Sequence, residues 1–122
     1  MLLLITLGCG LGTVDVSIDA PACSDWVFGE DFGDPEVTVE YSETEINVVR
    51  EGVFMDCNAR FDPAITAEGG MVSVEEAWEG EEGDCCFSPE VVLTTERGGP
   101  LLIQWFDAAG SEVYSQEIDT RE

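Results

Sequence analysis

Apolar and polar positions alternate along this chain in short runs, with a period of two. Val14, Val16 and Ile18 are spaced by Asp15 and Ser17; Val37, Val39 and Tyr41 by Thr38 and Glu40; Ile46 and Val48 by Asn47. Val53 and Met55, Val72 and Val74, the run Val91-Val92-Leu93, and Leu101, Ile103 and Trp105 continue the pattern, and Val113, Tyr114 and Ile118 close it. Such runs, rich in β-branched and aromatic residues, read as strands with one buried face. Turn residues separate them: Ser42-Glu43-Thr44, Arg50-Glu51-Gly52, Glu68-Gly69-Gly70, Gly98-Gly99-Pro100 and Asp107 to Gly110. The last of these predicts a hairpin joining Trp105-Phe106 to Val113-Tyr114. No stretch has the 3.6-residue period of an amphipathic helix. The pattern therefore predicts an all-β domain, a sandwich of mostly antiparallel sheets, because no helix is present to carry crossovers between parallel strands.

One segment breaks the alternation. Residues 2–7 are a dense apolar run that stops at Gly8-Cys9, and every charged residue lies beyond it. The run is shorter than the roughly 20 apolar residues needed to span a bilayer and shorter than an ordinary signal peptide. It reads as the end of an export leader whose true start lies upstream. Thr6-Leu7-Gly8-Cys9 resembles the bacterial lipobox, matching at Gly8 and Cys9 and departing at Thr6, where leucine is usual. The resemblance implies a lipid on Cys9. It divides the chain into a truncated signal segment (1–8), an anchor cysteine and tether (9–22) and a β-sandwich domain (23–122).

Composition narrows the function. The chain of 122 residues has 27 acids against four Arg, no Lys and no His, for a net charge of −23. Nucleic acid is excluded as a partner, since four scattered Arg make no basic patch. An anionic membrane surface repels such a domain, so a membrane can hold it only through a covalent anchor. Cations or a basic protein are the attractive partners, and a monomer is expected. Without histidine there is no Ser-His-Asp triad, no Cys-His pair and no imidazole metal ligand. Carboxylate chemistry alone remains, and an enzyme is not expected.

With Cys9 set aside, Cys23, Cys57, Cys85 and Cys86 are an even set in an exported chain and predict two disulfides. A bond between the adjacent Cys85 and Cys86 would distort the peptide joining them. Two pairings remain: Cys23–Cys85 with Cys57–Cys86, or Cys23–Cys86 with Cys57–Cys85. In extended chain Cys85 and Cys86 point to opposite faces, so one bridge should lie in the core and the other outside.

The order of elements adds a second likeness. Gly52-Val53, Cys57, Phe61 and Pro63 lead to Gly70-Met71-Val72-Ser73-Val74. Cys85-Cys86-Phe87, Val91-Val92-Leu93, Gly99 and the Trp105 strand follow. Over residues 36–118 this resembles small exported bacterial lipoproteins with an immunoglobulin-like sandwich. The resemblance implies a location at the cell envelope, in the outer membrane or at the cell surface, with no defined activity.

Two acidic clusters offer hard-cation oxygens: Glu30, Asp31, Asp34 and Glu36 in one loop, and Glu75, Glu76, Glu79, Glu81, Glu82 and Asp84 in another; without a cation both read as solvated loops. Neither has the spacing of an EF-hand. Calcium is the metal they would suit. Of the tryptophans, Trp105 is expected in the core, Trp78 to fold back over a sheet edge, and Trp26 is a further aromatic without an assigned place. The leading expectation is an acidic, lipid-anchored envelope protein with a binding or structural role. The alternatives are a secreted, unanchored domain that binds calcium or a basic protein in the manner of an inhibitor, and a small carboxylate-dependent hydrolase.

Overall fold

A computed structural model describes residues 2–7, 12–23, 36–68 and 70–121. Its strands are β1 (Leu2–Leu7), β2 (Gly12–Asp19), β3 (Glu36–Tyr41), β4 (Glu45–Glu51), β5 (Val53–Met55), β6 (Arg60–Phe61) and β7 (Ala64–Glu68). They continue as β8 (Met71–Glu75), β9 (Trp78–Glu79), β10 (Cys85–Phe87), β11 (Glu90–Thr95), β12 (Pro100–Phe106) and β13 (Glu112–Asp119). No described residue is helical. The fold is the all-β sandwich that the alternation predicts. One sheet runs β1-β2-β11-β4-β3, the other β13-β12-β8-β7, and two short pairs, β5–β10 and β6–β9, lie beside them.

The inward-facing row of each strand makes the core. Val14 and Val16, Ile46 and Val48, and Val91 and Leu93 come from the first sheet. Val72 and Val74, Leu101, Ile103 and Trp105, and Ile118 come from the second. Trp105 is wholly buried. Each such aliphatic or aromatic side chain contributes about 1.5–3 kcal/mol by leaving water. The predicted hairpin is present, with Trp105 opposite Tyr114 and a bulge between Trp105 and Phe106. Its turn is closed by the Asp107 carboxylate, which accepts the backbone N–H groups of Ala109 and Ser111 at 3.0 and 2.9 Å.

The layering is immunoglobulin-like in architecture, with a strand order of its own. Among the described residues all strand pairings are antiparallel except β8 with β12, which run parallel. Parallel neighbours need a crossover. Here the chain makes it through β11 of the opposite sheet, so no helix is required.

Both disulfides form, and tertiary structure selects between the two open pairings. They are Cys23–Cys86 and Cys57–Cys85, with Cα–Cα distances of 5.4 and 5.1 Å. Cys85 and Cys86 occupy successive positions of β10 and face opposite ways. Cys86 is buried and Cys57 exposed, so one bridge is internal and the other external. The internal one fastens residues 20–23 to the second half of the chain, where Cys23 N–H also donates to the Cys86 carbonyl at 3.1 Å.

Residues 2–7 pair antiparallel with β2, from Leu2 opposite Ser17 to Leu7 opposite Gly12. The segment read as an export leader is thus an outer strand of the five-stranded sheet. Cys9 lies outside the described residues.

At the other end of the chain, Asp119 accepts the backbone N–H and both the Nε and Nη2 groups of Arg121, at 3.0, 3.0 and 2.8 Å. The guanidinium hydrogen bonds, then the backbone one, hold this carboxyl down at about 2. A lowered value means that the contact contributes fully above the ordinary carboxyl value and is lost as pH falls through about 2. An NMR titration should place the Asp119 midpoint near 2, and Arg121→Gln, which removes the guanidinium but keeps the backbone N–H, should raise it part of the way toward the ordinary carboxylate range.

Candidate functional site

Three inward rows end in polar groups at the same end of the sandwich. Ile46 and Val48 are followed in phase by Arg50, Val72 and Val74 by Glu76, and Leu101 and Ile103 by Trp105. Period-two alternation makes each of these the next inward position. Arg50 and Glu76 are only 9% and 6% exposed. Charges this deep must find each other. Arg50 Nη1 donates to Glu76 Oε1 at 2.6 Å. Trp105 Nε1 donates to the same oxygen at 3.0 Å, and Trp78 Nε1 to Glu76 Oε2 at 2.9 Å. Both oxygens of one carboxylate thus serve three donors from β4, β9 and β12. The backbone holds the pair in place, with Glu76 N–H donating to Phe106 O at 2.9 Å and Arg50 N–H to Pro89 O at 3.0 Å. Arg50 Nε is buried with no acceptor among the described residues.

Aromatic rings enclose this charge cluster. Trp78 packs tilted against Phe61 and Phe87, with centroids 5.2 and 5.5 Å apart. Phe61 lies parallel to Trp105 at 6.2 Å. Trp78 therefore folds back as expected, and its indole N–H finds the acceptor that a part-buried tryptophan needs. Sequence reading places Glu76 in a solvated acidic loop; the structure buries it. The signal available was phase, because Glu76 and Arg50 each extend an apolar row by one step.

An open groove of about 590 Å³ lies over the cluster. Met55, Trp78, Glu82, Asp107 and Ala109 are among the residues of its walls, with Arg50 and Glu76 also lining it. A second hollow of about 630 Å³ lies on the other side of the Asp107–Gly110 turn and shares Glu76, Asp107 and Ala108 with the first.

The acidic loop that carries Glu82 is held from below. Asp56 N–H donates to Glu81 O at 2.8 Å, and the Cys57–Cys85 bond ties the same two stretches together. Gly83 passes so close to Asp56 that a Cβ there would lie 2.7 Å from its backbone N and Cα. Gly83→Ala is expected to cost about 1–3 kcal/mol by forcing those backbones apart, read as a lowered melting temperature. An unchanged melting temperature would mean that the loop is not seated on Asp56.

Glu79, Glu81, Glu82 and Asp84 are all exposed. Glu79 lies 4.0 Å from Arg60 in an exposed pair, which contributes little. Among the described residues no three acid or cysteine side chains come together as a metal set. Glu30, Asp31, Asp34 and Trp26 lie outside the described residues. Cys23, Cys57, Cys85 and Cys86 are consumed in the two disulfides. Against protein-family models, curated proteins and solved structures alike, the chain has no match.

Proposed function

We propose that this protein is an exported domain held at the cell envelope by a lipid on Cys9, with a binding role exercised by its acidic surface. The observation that carries the reading is the cysteine pairing. Four cysteines form two bonds, as an oxidising compartment allows, and Cys9 is left without a cysteine partner in the chain. A net charge of −23 makes acylation the means by which such a domain stays on a membrane. We assign it no catalytic step. Glu76, the buried acid of the groove, has both oxygens engaged by Arg50 and two indoles, which leaves it unsuited to proton transfer.

The pairing of residues 2–7 with β2 favours a second reading. There the segment stays in the mature domain, which is secreted without an anchor and binds a basic protein. The two readings make opposite demands on the same six residues, because a departed leader cannot also be the outer strand. Mass spectrometry of the mature N-terminus separates them. An acylated Cys9 at the new N-terminus, with Cys9→Ser moving the protein from the membrane to the soluble fraction, supports the anchor. Retention of Met1 to Gly8 with an unmodified Cys9 overturns it.

A further inference from the structure

The groove over the Arg50–Glu76 pair has a built-in imbalance of charge. At its base Arg50 is matched by Glu76. On its rim Glu82 makes no hydrogen bond or ion pair among the described residues. Asp107 engages Oδ1 in its own turn, and its other oxygen has no partner there. The groove thus carries two uncompensated carboxylates within a chain of −23, and a concave wall focuses their field. Its apolar lining is the half-buried indole of Trp78, backed by Val53 and Met55, which are themselves buried. The indole N–H is committed to Glu76 and the ring packs against Phe61 and Phe87, so the part of the ring open to the groove is the contact surface. The walls are preformed: Gly83 seats the loop on Asp56, the Cys57–Cys85 bond holds that contact, and the Asp107 carboxylate sets the hairpin turn.

We infer that this groove binds a long cationic side chain, an arginine or lysine, presented by a basic peptide segment of a partner protein. The alkyl stem lies along the Trp78 indole, where cation–π attraction and apolar contact act together. The charged head meets Glu82 and Asp107. A volume of about 590 Å³ accommodates such a side chain with its flanking peptide groups. The inference rests on the binding role proposed above and is independent of the anchor.

The test uses the full chain carrying Cys9→Ser, at physiological salt, with the blocked pentapeptide Gly-Gly-Arg-Gly-Gly as probe. Its citrulline counterpart keeps the shape and removes the charge. Chemical-shift changes are expected to concentrate on the Trp78 indole N–H and on the amides of Met55, Glu82 and Asp107 to Ala109. The citrulline peptide is expected to leave them unmoved. The pair Glu82→Gln and Asp107→Asn should weaken binding by at least about ten-fold, while Asn at 107 still accepts the turn N–H groups. Glu40→Gln with Glu112→Gln removes the same charge from exposed strand positions and should change affinity less than about two-fold. Equal weakening by both pairs, or shifts scattered over the surface, would overturn the groove while leaving a diffuse attraction for basic proteins intact. No shifts at all would overturn both.

Discussion

Glu76→Ala is expected to lower the unfolding free energy by about 3–5 kcal/mol, because it leaves the Arg50 guanidinium buried without its counter-charge. That is a large share of the roughly 5–15 kcal/mol by which a domain of this kind is stable. Denaturant unfolding followed by tryptophan fluorescence reports it directly, since two of the three indoles donate to the lost carboxylate. Glu76→Gln is the more informative companion. The amide keeps one carbonyl oxygen and replaces the other by a donor, so it can serve one indole but not both. It should fall between wild type and Glu76→Ala. Replacing both charges by apolar residues is often nearly neutral for a buried pair, but not here. Removing Glu76 also strands two indole N–H groups, at about 1–3 kcal/mol for each one left buried. A double variant Arg50→Met with Glu76→Leu should therefore stay clearly destabilised. Wild-type stability in that variant would show that the indoles do not depend on this carboxylate.

Loss of the Cys23–Cys86 bond is the second large effect. Its cysteines are 63 residues apart, and the chain-entropy model assigns a loop of that size about 4 kcal/mol. The Cys57–Cys85 bond closes a separation of 28 residues, for about 3.5 kcal/mol in the same model. The two differ more in surroundings than in loop length. Cys86 is 4% exposed and packs inside, whereas Cys57 is at the surface. Replacing Cys23 and Cys86 by alanine adds a packing defect to the lost constraint. The Cys23–Cys86 double variant is thus expected to melt at a lower temperature than the Cys57–Cys85 one. The opposite order would contradict the placement of Cys86 in the interior. Partial reduction with stepwise alkylation, followed by sequencing across Cys85-Cys86, tests the pairing itself, and a Cys57–Cys86 bond would rule it out.

Much of this architecture was legible in the chain because strand periodicity is local. Val14 and Val16, Ile46 and Val48, Val72 and Val74, and Leu101, Ile103 and Trp105 announce their buried face without reference to any other strand. The same holds for the hairpin at Asp107 to Gly110 and for the opposite facing of Cys85 and Cys86. Arg50 and Glu76 are written in the same code. Each stands one step beyond an apolar pair, and an inward charge demands a partner. Composition concealed this, because among 27 acids one more Glu in Glu75-Glu76 looks like solvated surface.

The sequence by itself determined that the domain is all-β, which residues face inward and that four cysteines pair. These follow from alternation and counting, which need no knowledge of what lies across the core. The tertiary structure alone decided which cysteines join, that β8 and β12 run parallel, that residues 2–7 pair with β2, and that Glu76 accepts from Arg50, Trp78 and Trp105 at once. Each of these is a contact between segments far apart in the chain. No local propensity encodes such contacts; the closing of the two sheets on one core does.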